Sequence, residues 1–342
     1  MIQNGIVVET EDVSLVYKSL LEKIMKNGDV WPGFDRKTKK DIKVKEVRPF
    51  LLISTNPRKR VINPTGRNLN LPAVLRDASD LLEGLNPGFR NRYDSYFKYW
   101  NRHKSDGTVP WTYGELMRGN GTDQLENVFK LLKANPVAKG RSIIYFHPND
   151  SASLYPELSY PGIIDLHYRI YDNKLACWVD MRANDIMKGF PYNFFSVTTL
   201  QEILAGWLKM DVGNCYWYVH FAQVYEPQFN RVDEIGSDSV YQEHHPIPLN
   251  VPRKEFKKNW GLKELVEKNA RKGKYRLAER TLSRIEHPAY ASWAGTMLFA
   301  EMERGRHQGR KVYAEDLERV NEHVKNEFGA WTNRRLLSYS AK

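Results

Sequence analysis

Cysteine is nearly absent: the chain has two, Cys177 and Cys215. They show no metal-ligand spacing, which excludes a disulfide framework and a cysteine-based zinc site. A reducing, cytoplasmic setting is therefore expected. Long apolar runs are missing as well. No stretch reaches the ~18 residues that a membrane-crossing helix needs, so no membrane partner is expected. The opening "MIQNGIVVETEDVS" lacks a basic segment followed by an apolar one, so no signal peptide is expected. His244-His245 look like a metal pair, but no third ligand is suitably spaced, and no metal is expected. Internal repeats and low-complexity segments are also absent.

What is present is apolar and basic. A hydrophobic content of 41% with 12% aromatics is ample for a packed core in a chain of this length. The formal charge is +11, and about nine of those charges fall in residues 251–342, in stretches such as "VPRKEFKKNW" and "NARKGKYRLAER". Such a segment suits either a solvated helical face or a grip on nucleic acid.

Periodicity gives the organisation. "VSLVYKSLLEKIMKNGD" reads as an amphipathic helix, with Val16, Leu20, Leu21 and Ile24 on its apolar stripe and a stop at Asn27-Gly28. "VRPFLLIST" and "RSIIYFH" read as strands, and "AVLRDASDLLEGLN" as a helix ending near Gly84. Residues 87–112 look loop-rich. "TDQLENVFKLLKANP" is a helix capped by Thr122 or Asp123. "IIDLHYRIYDNKLACWVDM" is a hairpin turning at Asp172-Asn173, "TTLQEILAGWLKMDVG" a helix and "CYWYVHFAQVY" a strand. From about residue 255 the pattern is helical only. These readings predict an α/β (α+β) fold. A mixed, twisted sheet flanked by helices fills residues 1–255, and a basic helical extension fills residues 256–342.

Four stretches carry a resemblance. "NPRKRVINPTGRNLN", "WTYGELMRGNGTDQLENVFKLLKANP", "GRSIIYFHPND" and "MRANDIMKGFPYNFFSVTTLQEILAGWLKMDVGNCYWYVHFAQVY" follow one another in an order that resembles the thymidylate synthase and deoxycytidylate hydroxymethylase superfamily. The similarity runs from residue 13 to about 230. It implies a pyrimidine nucleoside monophosphate as substrate and a homodimer. It also brings in folate as a cofactor, although the family's apolar tail is replaced here by "RRLLSYSAK".

The chemistry of the residues fits that substrate. A phosphate needs a cationic clamp, which Arg141, Arg182 and one of Arg58, Arg60 or Arg67 can supply through planar guanidinium forks. Asn193 offers a carbonyl and an NH2 to a pyrimidine edge, and in the family an asparagine there goes with uracil. Tyr225 is placed for a ribose hydroxyl, and Asp185 for a backbone or cofactor amide. Tyr113 stands where the family has a tyrosine near the C5 proton. Each also has a plainer reading: Arg141 as an ion pair, Asn193 as a loop bond, Asp185 as turn chemistry, Tyr113 and Tyr225 as core.

The departures gather at the reacting end. Pro161-Gly162 stands where the family has a proline followed by its cysteine nucleophile, and Asp77, Gln223 and Ala183 replace a glutamate, a histidine and a serine. Without a thiolate to add at C6, C5 of the base is not activated in the usual way. Asp77, Asp165 and His167 are the nearest candidates for acid-base work in such a reaction, with strand parity arguing that Asp165 and Gly162 face opposite ways. Cys177 and Cys215 read as buried structural thiols. Three functions remain: a nucleotide-modifying enzyme with altered chemistry, a catalytically silent nucleotide-binding or partner subunit, and a nucleic-acid-binding protein.

Overall fold

The aspartate before the first helical run sets the pattern for the rest. Asp12 accepts a hydrogen bond from Ser14 N at 2.9 Å and so starts helix α1 (Val13–Asn27). The buried stripe of α1 is Val13, Tyr17, Leu20, Leu21 and Ile24. Val16, expected on that stripe, is only half-buried, because Tyr17 takes the core position. The computed structural model describes residues 5–35, 38–84, 112–119, 121–138, 142–146, 161–237 and 246–340. The loop-rich reading of 87–112 therefore falls almost wholly outside the described residues.

Two compact units divide the chain, Met1–Val240 and Tyr241–Lys342. The first is built on an eight-stranded mixed sheet. Its strands are β1 (Ile6–Thr10), β2 (Asp29–Asp35), β3 (Lys40–Val47), β4 (Phe50–Ser54), β5 (Ile143–Tyr145), β6 (Ile163–Tyr171), β7 (Lys174–Asp185) and β8 (Asp211–Tyr225). The order is β1-β4-β8-β7-β6-β5, with β1 parallel to β4, β7 parallel to β8, and the other neighbours antiparallel. β3 continues the β4 edge of β8 and carries β2 outside it. Asp172 and Asn173, both at positive φ (48° and 56°), close the β6–β7 hairpin, as a two-residue turn between twisted strands requires.

Among the described residues four more α-helices belong to this unit: α2 (Leu71–Glu83), α3 (Tyr113–Arg118), α4 (Gln124–Ala134) and α5 (Gly189–Trp207). Asp123 is the cap of α4, accepting from Glu126 N at 2.9 Å. α2 is buried along nearly its whole length. It holds Arg76 inside because Asp80 and Glu83 lie at 2.6 Å and 2.9 Å.

One irregularity shapes the site. Along β7 the buried positions are Cys177, Val179 and Met181, then Asn184; along β8 they are Cys215, Trp217 and Val219, then Ala222. Met181 pairs with Val219 and Asn184 with Ala222, so both strands change parity at the same level. A sheet face that alternates strictly would keep one set of side chains inside. Here the change brings Asn184 inward and leaves Arg182 and Phe221 exposed.

The second unit is helical: α6 (Arg253–Arg271), α7 (Tyr275–Leu282), α8 (Pro288–His307), α9 (Ala314–Asn321) and α10 (Asn326–Ser340). Phe256, Trp260, Tyr290 and Trp293 pack as an aromatic cluster. Lys263, fully buried, lies 3.9 Å from the Trp260 ring centroid and pairs with Glu267 at 3.0 Å. No helix among the described residues is long and apolar enough to cross a membrane.

Candidate functional site

The site is organised by the link from β7 to α5. Asp185 ends β7 and accepts from the amides of Met187 and Lys188, each at 2.9 Å, which folds the chain into a tight aspartate turn. Ile186 N donates to the Gln223 carbonyl at 2.9 Å. The Tyr17 hydroxyl reaches the Ile186 and Met187 carbonyls at 2.9 and 3.1 Å. The turn's peptide groups are thus held from three directions, as a buried loop demands. Burial pushes the Tyr17 phenol up to about 12. Burial also raises the Asp185 carboxyl, against the Lys188 and Met187 amides and the positive charge of Arg67. The turn-chemistry reading of Asp185 is therefore what the geometry contains.

Behind the turn the side chains form a chain of contacts. Asn184 donates to Met181 Sδ at 3.2 Å and accepts from Asn193 Nδ2 at 3.5 Å. Gly189 lies against both asparagines: a Cβ built on it would sit 3.1 Å from Asn184 Oδ1 and 3.8 Å from Asn193 Nδ2. Met181 continues the chain to Gly162. A Cβ on Gly162 would lie 3.4 Å from Met181 Cε, 3.4 Å from Tyr113 Oη and 3.1 Å from the Ala183 carbonyl oxygen. Tyr113 Oη accepts from the consecutive amides of Gly162 (2.9 Å) and Ile163 (3.0 Å). Two amides on one phenolic oxygen occupy its lone pairs, so its own proton is directed to a third partner. Tyr113, Gly162 and Asn193 are thus joined through Met181 and Asn184, two residues the sequence did not single out. Methionine and asparagine in a strand carry no signal of such a role.

The arginines separate clearly. Arg58 Nε bonds Glu202 at 2.5 Å and its other end meets Asp211; Arg60 bonds Glu202 and, at 3.0 Å, Thr199. Glu202 is fully buried, so both guanidinium groups are committed to neutralising it. Of the three arginines open to the phosphate, Arg67 remains. It follows Gly66 in a turn closed by Arg67 N to Pro64 O at 3.1 Å, its side chain hydrogen-bonds Tyr17 and its charge also acts on Asp185, while its Nε is buried without a bond in the structure. Arg182 is exposed, and its amide donates to the Gly162 carbonyl at 2.8 Å. Arg141 lies outside the described residues, as do His244 and His245.

Asp77 is buried on α2 and accepts from Ser196 Oγ at 2.7 Å. Ser196 sits one turn after Asn193, so Asp77 fixes the helix that carries it. Gln223 donates to Glu46 at 2.7 Å and accepts from the Tyr225 hydroxyl at 3.0 Å, forming a short polar relay at the end of β8.

His167 is the correction. It pairs across the hairpin with Trp178, whereas Ile163 pairs with Met181 three positions further along β7. His167 and Met181 are therefore on opposite faces of the sheet, and His167 does not join the group around Gly162. Asp165 shares its face: burial and the facing Asp180 raise its carboxyl. Cys177 and Cys215 are buried partners across β7 and β8, and burial, with Cys215 beside it, pushes the Cys177 thiol well up.

Residues 16–259 match the family model described as thymidylate synthase. The chain is 24% identical over 276 residues to the deoxyuridylate hydroxymethyltransferase of Bacillus phage SP01, a match covering 75% of this chain and 67% of that one. It is 24% identical over 184 residues to the thymidylate synthase of Francisella tularensis subsp. holarctica and 26% identical over 185 residues to that of Francisella philomiragia, each covering 50% of this chain and 67% of the relative.

Proposed function

Because the chain belongs to the thymidylate synthase family, we propose that it binds a uridine- or thymidine-type nucleoside monophosphate and acts in its modification without a cysteine adduct at C6. The observation that supports this most is the contact chain from Tyr113 through Gly162, Met181 and Asn184 to Asn193. In this reading the chain of contacts joins Asn193 as base reader to Tyr113 as hydroxyl donor, and Gly162 takes the position where the resemblance puts the family's nucleophile. The phage relative is named for deoxyuridylate, which agrees with an asparagine as reader.

In this reading Asn193 bonds the pyrimidine edge and Arg67 takes the phosphate, with Arg182 and Arg141 as further cations. Tyr113 directs its proton toward the base. When that proton is given up, the Gly162 and Ile163 amides still hold the oxygen. Asp77 is a positioning residue acting through Ser196. Asp185 Oδ1 serves the Met187 and Lys188 amides, and its second oxygen is the one left for a cofactor amide.

Pairing of two chains is part of the proposal. The sheet face opposite Met181 carries half-buried Leu51, Ile53, Tyr218 and the stacked Trp178–Tyr216 pair at 4.6 Å, an aromatic surface suited to a second copy. A molar mass by light scattering tests it, with twice the chain mass expected.

Calorimetric titration tests the substrate class. Deoxyuridylate should bind at least ~10-fold more tightly than deoxyuridine, since a charge-assisted bond is worth about 1.5–3 kcal/mol, and more tightly than deoxycytidylate. Arg67→Ala should remove the first difference. Tyr113→Phe should leave binding within about a factor of ten while abolishing turnover of whichever nucleotide proves to be a substrate. Equal affinity for nucleoside and monophosphate would overturn the proposal. Tight binding with no base change in any product assay would favour the silent-subunit reading.

A further inference from the structure

The basic charge of the helical unit is concentrated at one place. Residues 268–276, "KNARKGKYR", and residues 304–311, "RGRHQGRK", hold nine lysines and arginines and no acid. The fold brings these two segments together. Tyr275 Oη bonds the Glu301 carbonyl at 3.1 Å and Arg310 Nη1 bonds Tyr275 Oη at 3.3 Å. The Arg310 guanidinium lies directly over Gly273, and the Tyr275 hydroxyl over Gly305. Gly273 (φ 72°) and Gly309 (φ 78°) both take left-handed turns that end α6 and α8. At position 273 a side chain would also displace the Arg310 guanidinium. The two turns are therefore built to lie side by side.

Helix electrostatics account for only part of this charge. Lys268, Arg271, Arg304 and Arg306 stand in last turns, where a cation is favourable. Lys272, Lys274, Arg310 and Lys311 lie beyond those ends. Lys274 and Arg276 flank the start of α7, where a cation opposes the helix dipole and where no acid and no side-chain cap is present. Asp316 is near Arg276, but it is bonded to Arg319 at 2.6 Å and to Tyr313 N at 2.9 Å. Among the described residues no carboxylate pairs with Lys272, Lys274 or Lys311, and all three are exposed. Like charges gathered against their own repulsion and against a helix dipole indicate an external polyanion.

We propose that the two adjoining turns, 271–276 and 306–311, form a docking surface for the phosphate backbone of a nucleic acid. A lipid surface fits less well. Among the described residues of this unit the exposed large apolar side chains are Leu265, Leu277, Tyr313 and Leu337, and none lies within either turn to enter a bilayer. The surface is argued from charge alone, and phosphate contacts carry no sequence information, so the expected binding is sequence-independent.

The test uses the full chain and a fluorescent 24-bp duplex of arbitrary sequence, read by anisotropy. Five neutralised phosphates give a salt slope of about −4.5, so affinity should fall roughly 500-fold between 50 and 200 mM salt. The triple variant Lys272→Gln, Lys274→Gln, Lys311→Gln should lower the slope by about three and weaken binding at least ~30-fold at 50 mM salt. The control Lys254→Gln, Lys257→Gln, Lys325→Gln removes the same charge elsewhere on the unit and should change the slope by less than about one. Circular dichroism melts confirm that both variants stay folded. Equal losses in the two triples would reduce the effect to net charge and overturn the proposal. So would absence of binding at 50 mM salt, or retention by phosphatidylserine vesicles in preference to the duplex.

Discussion

Replacing Gly162 by cysteine tests both the geometry of the site and the reason for its chemistry. The backbone there is not left-handed, so a side chain meets no conformational penalty. Its tightest contact is the Ala183 carbonyl oxygen at 3.1 Å, which needs to yield by a few tenths of an ångström. We take that as a cost of about 1 kcal/mol, comparable to other small overpacking strains. Loss of glycine's freedom in the unfolded chain offsets it by roughly 0.4–1 kcal/mol. The net change should lie within about 1 kcal/mol of zero. With a slope of about 2–3 kcal/mol per molar urea, the midpoint should move by less than ~0.5 M. The new thiol sits beside Tyr113 Oη and should react with iodoacetamide, whereas the wild type should show no fast-reacting thiol. The wild type should release no tritium from C5-labelled deoxyuridylate, and Gly162→Cys should release it slowly. A destabilisation above about 2 kcal/mol would refute the packing argument. Thiol-dependent tritium release by the wild type would refute the chemical one.

Other perturbations separate structural from ligand-binding groups. Glu202→Gln leaves Arg58 and Arg60 facing a neutral, buried partner and should cost about 3 kcal/mol, seen as a lower unfolding midpoint; Asp211 and Thr199 keep the loss near the low end for broken buried pairs. Arg67→Ala should leave stability within ~1 kcal/mol while removing the preference for monophosphate over nucleoside in calorimetry. Cys177→Ser with Cys215→Ser should retain nucleotide affinity, because both thiols are buried and Cys177 is held protonated. Asp185 has a carboxyl raised on folding, so its contribution to stability is fullest below the unfolded value near 4 and declines as pH rises through the higher folded value. Asp185→Asn keeps an acceptor for both amides and should flatten that decline in melts taken from pH 4 to 7; an unchanged pH profile would exclude Asp185 as its source.

Much of the scaffold could be read from local pattern. The stripe of α1, the Asp172-Asn173 turn and the Asp123 cap each follow from residues within a few positions of one another. α5 was legible only in its second half. Its first turns, with Phe190, Phe194 and Phe195 all buried, are apolar on every side and show no helical period, and Pro191 in the first turn hides the start. The β2–β3 hairpin escaped because Pro32-Gly33 sits in the middle of β2 and reads as a turn. In the site, Arg58, Arg60 and Arg67 look alike along the chain. What distinguishes them are Glu202 and Asp211, which approach only in the fold. His167 is nearly adjacent to Gly162 along the chain, but its cross-strand partner is Trp178, on the face opposite Met181, and that pairing is set by the hairpin register.

The turn that presents Arg67 has a built-in timer. Gly66, at φ 80°, is pressed so closely onto the Glu234 carbonyl that no other residue fits, and the Thr65 carbonyl accepts from Gly236 N at 2.8 Å. That amide proton can exchange with deuterium only when the 63–68 turn lifts from the 232–236 segment. A ligand that anchors Arg67 would slow the lifting, and the exchange half-life of Gly236 would lengthen as the unliganded fraction falls. Occupancy of the cationic end of the site is thereby recorded at a backbone position that touches no ligand, and it can be followed before any substrate or product has been identified.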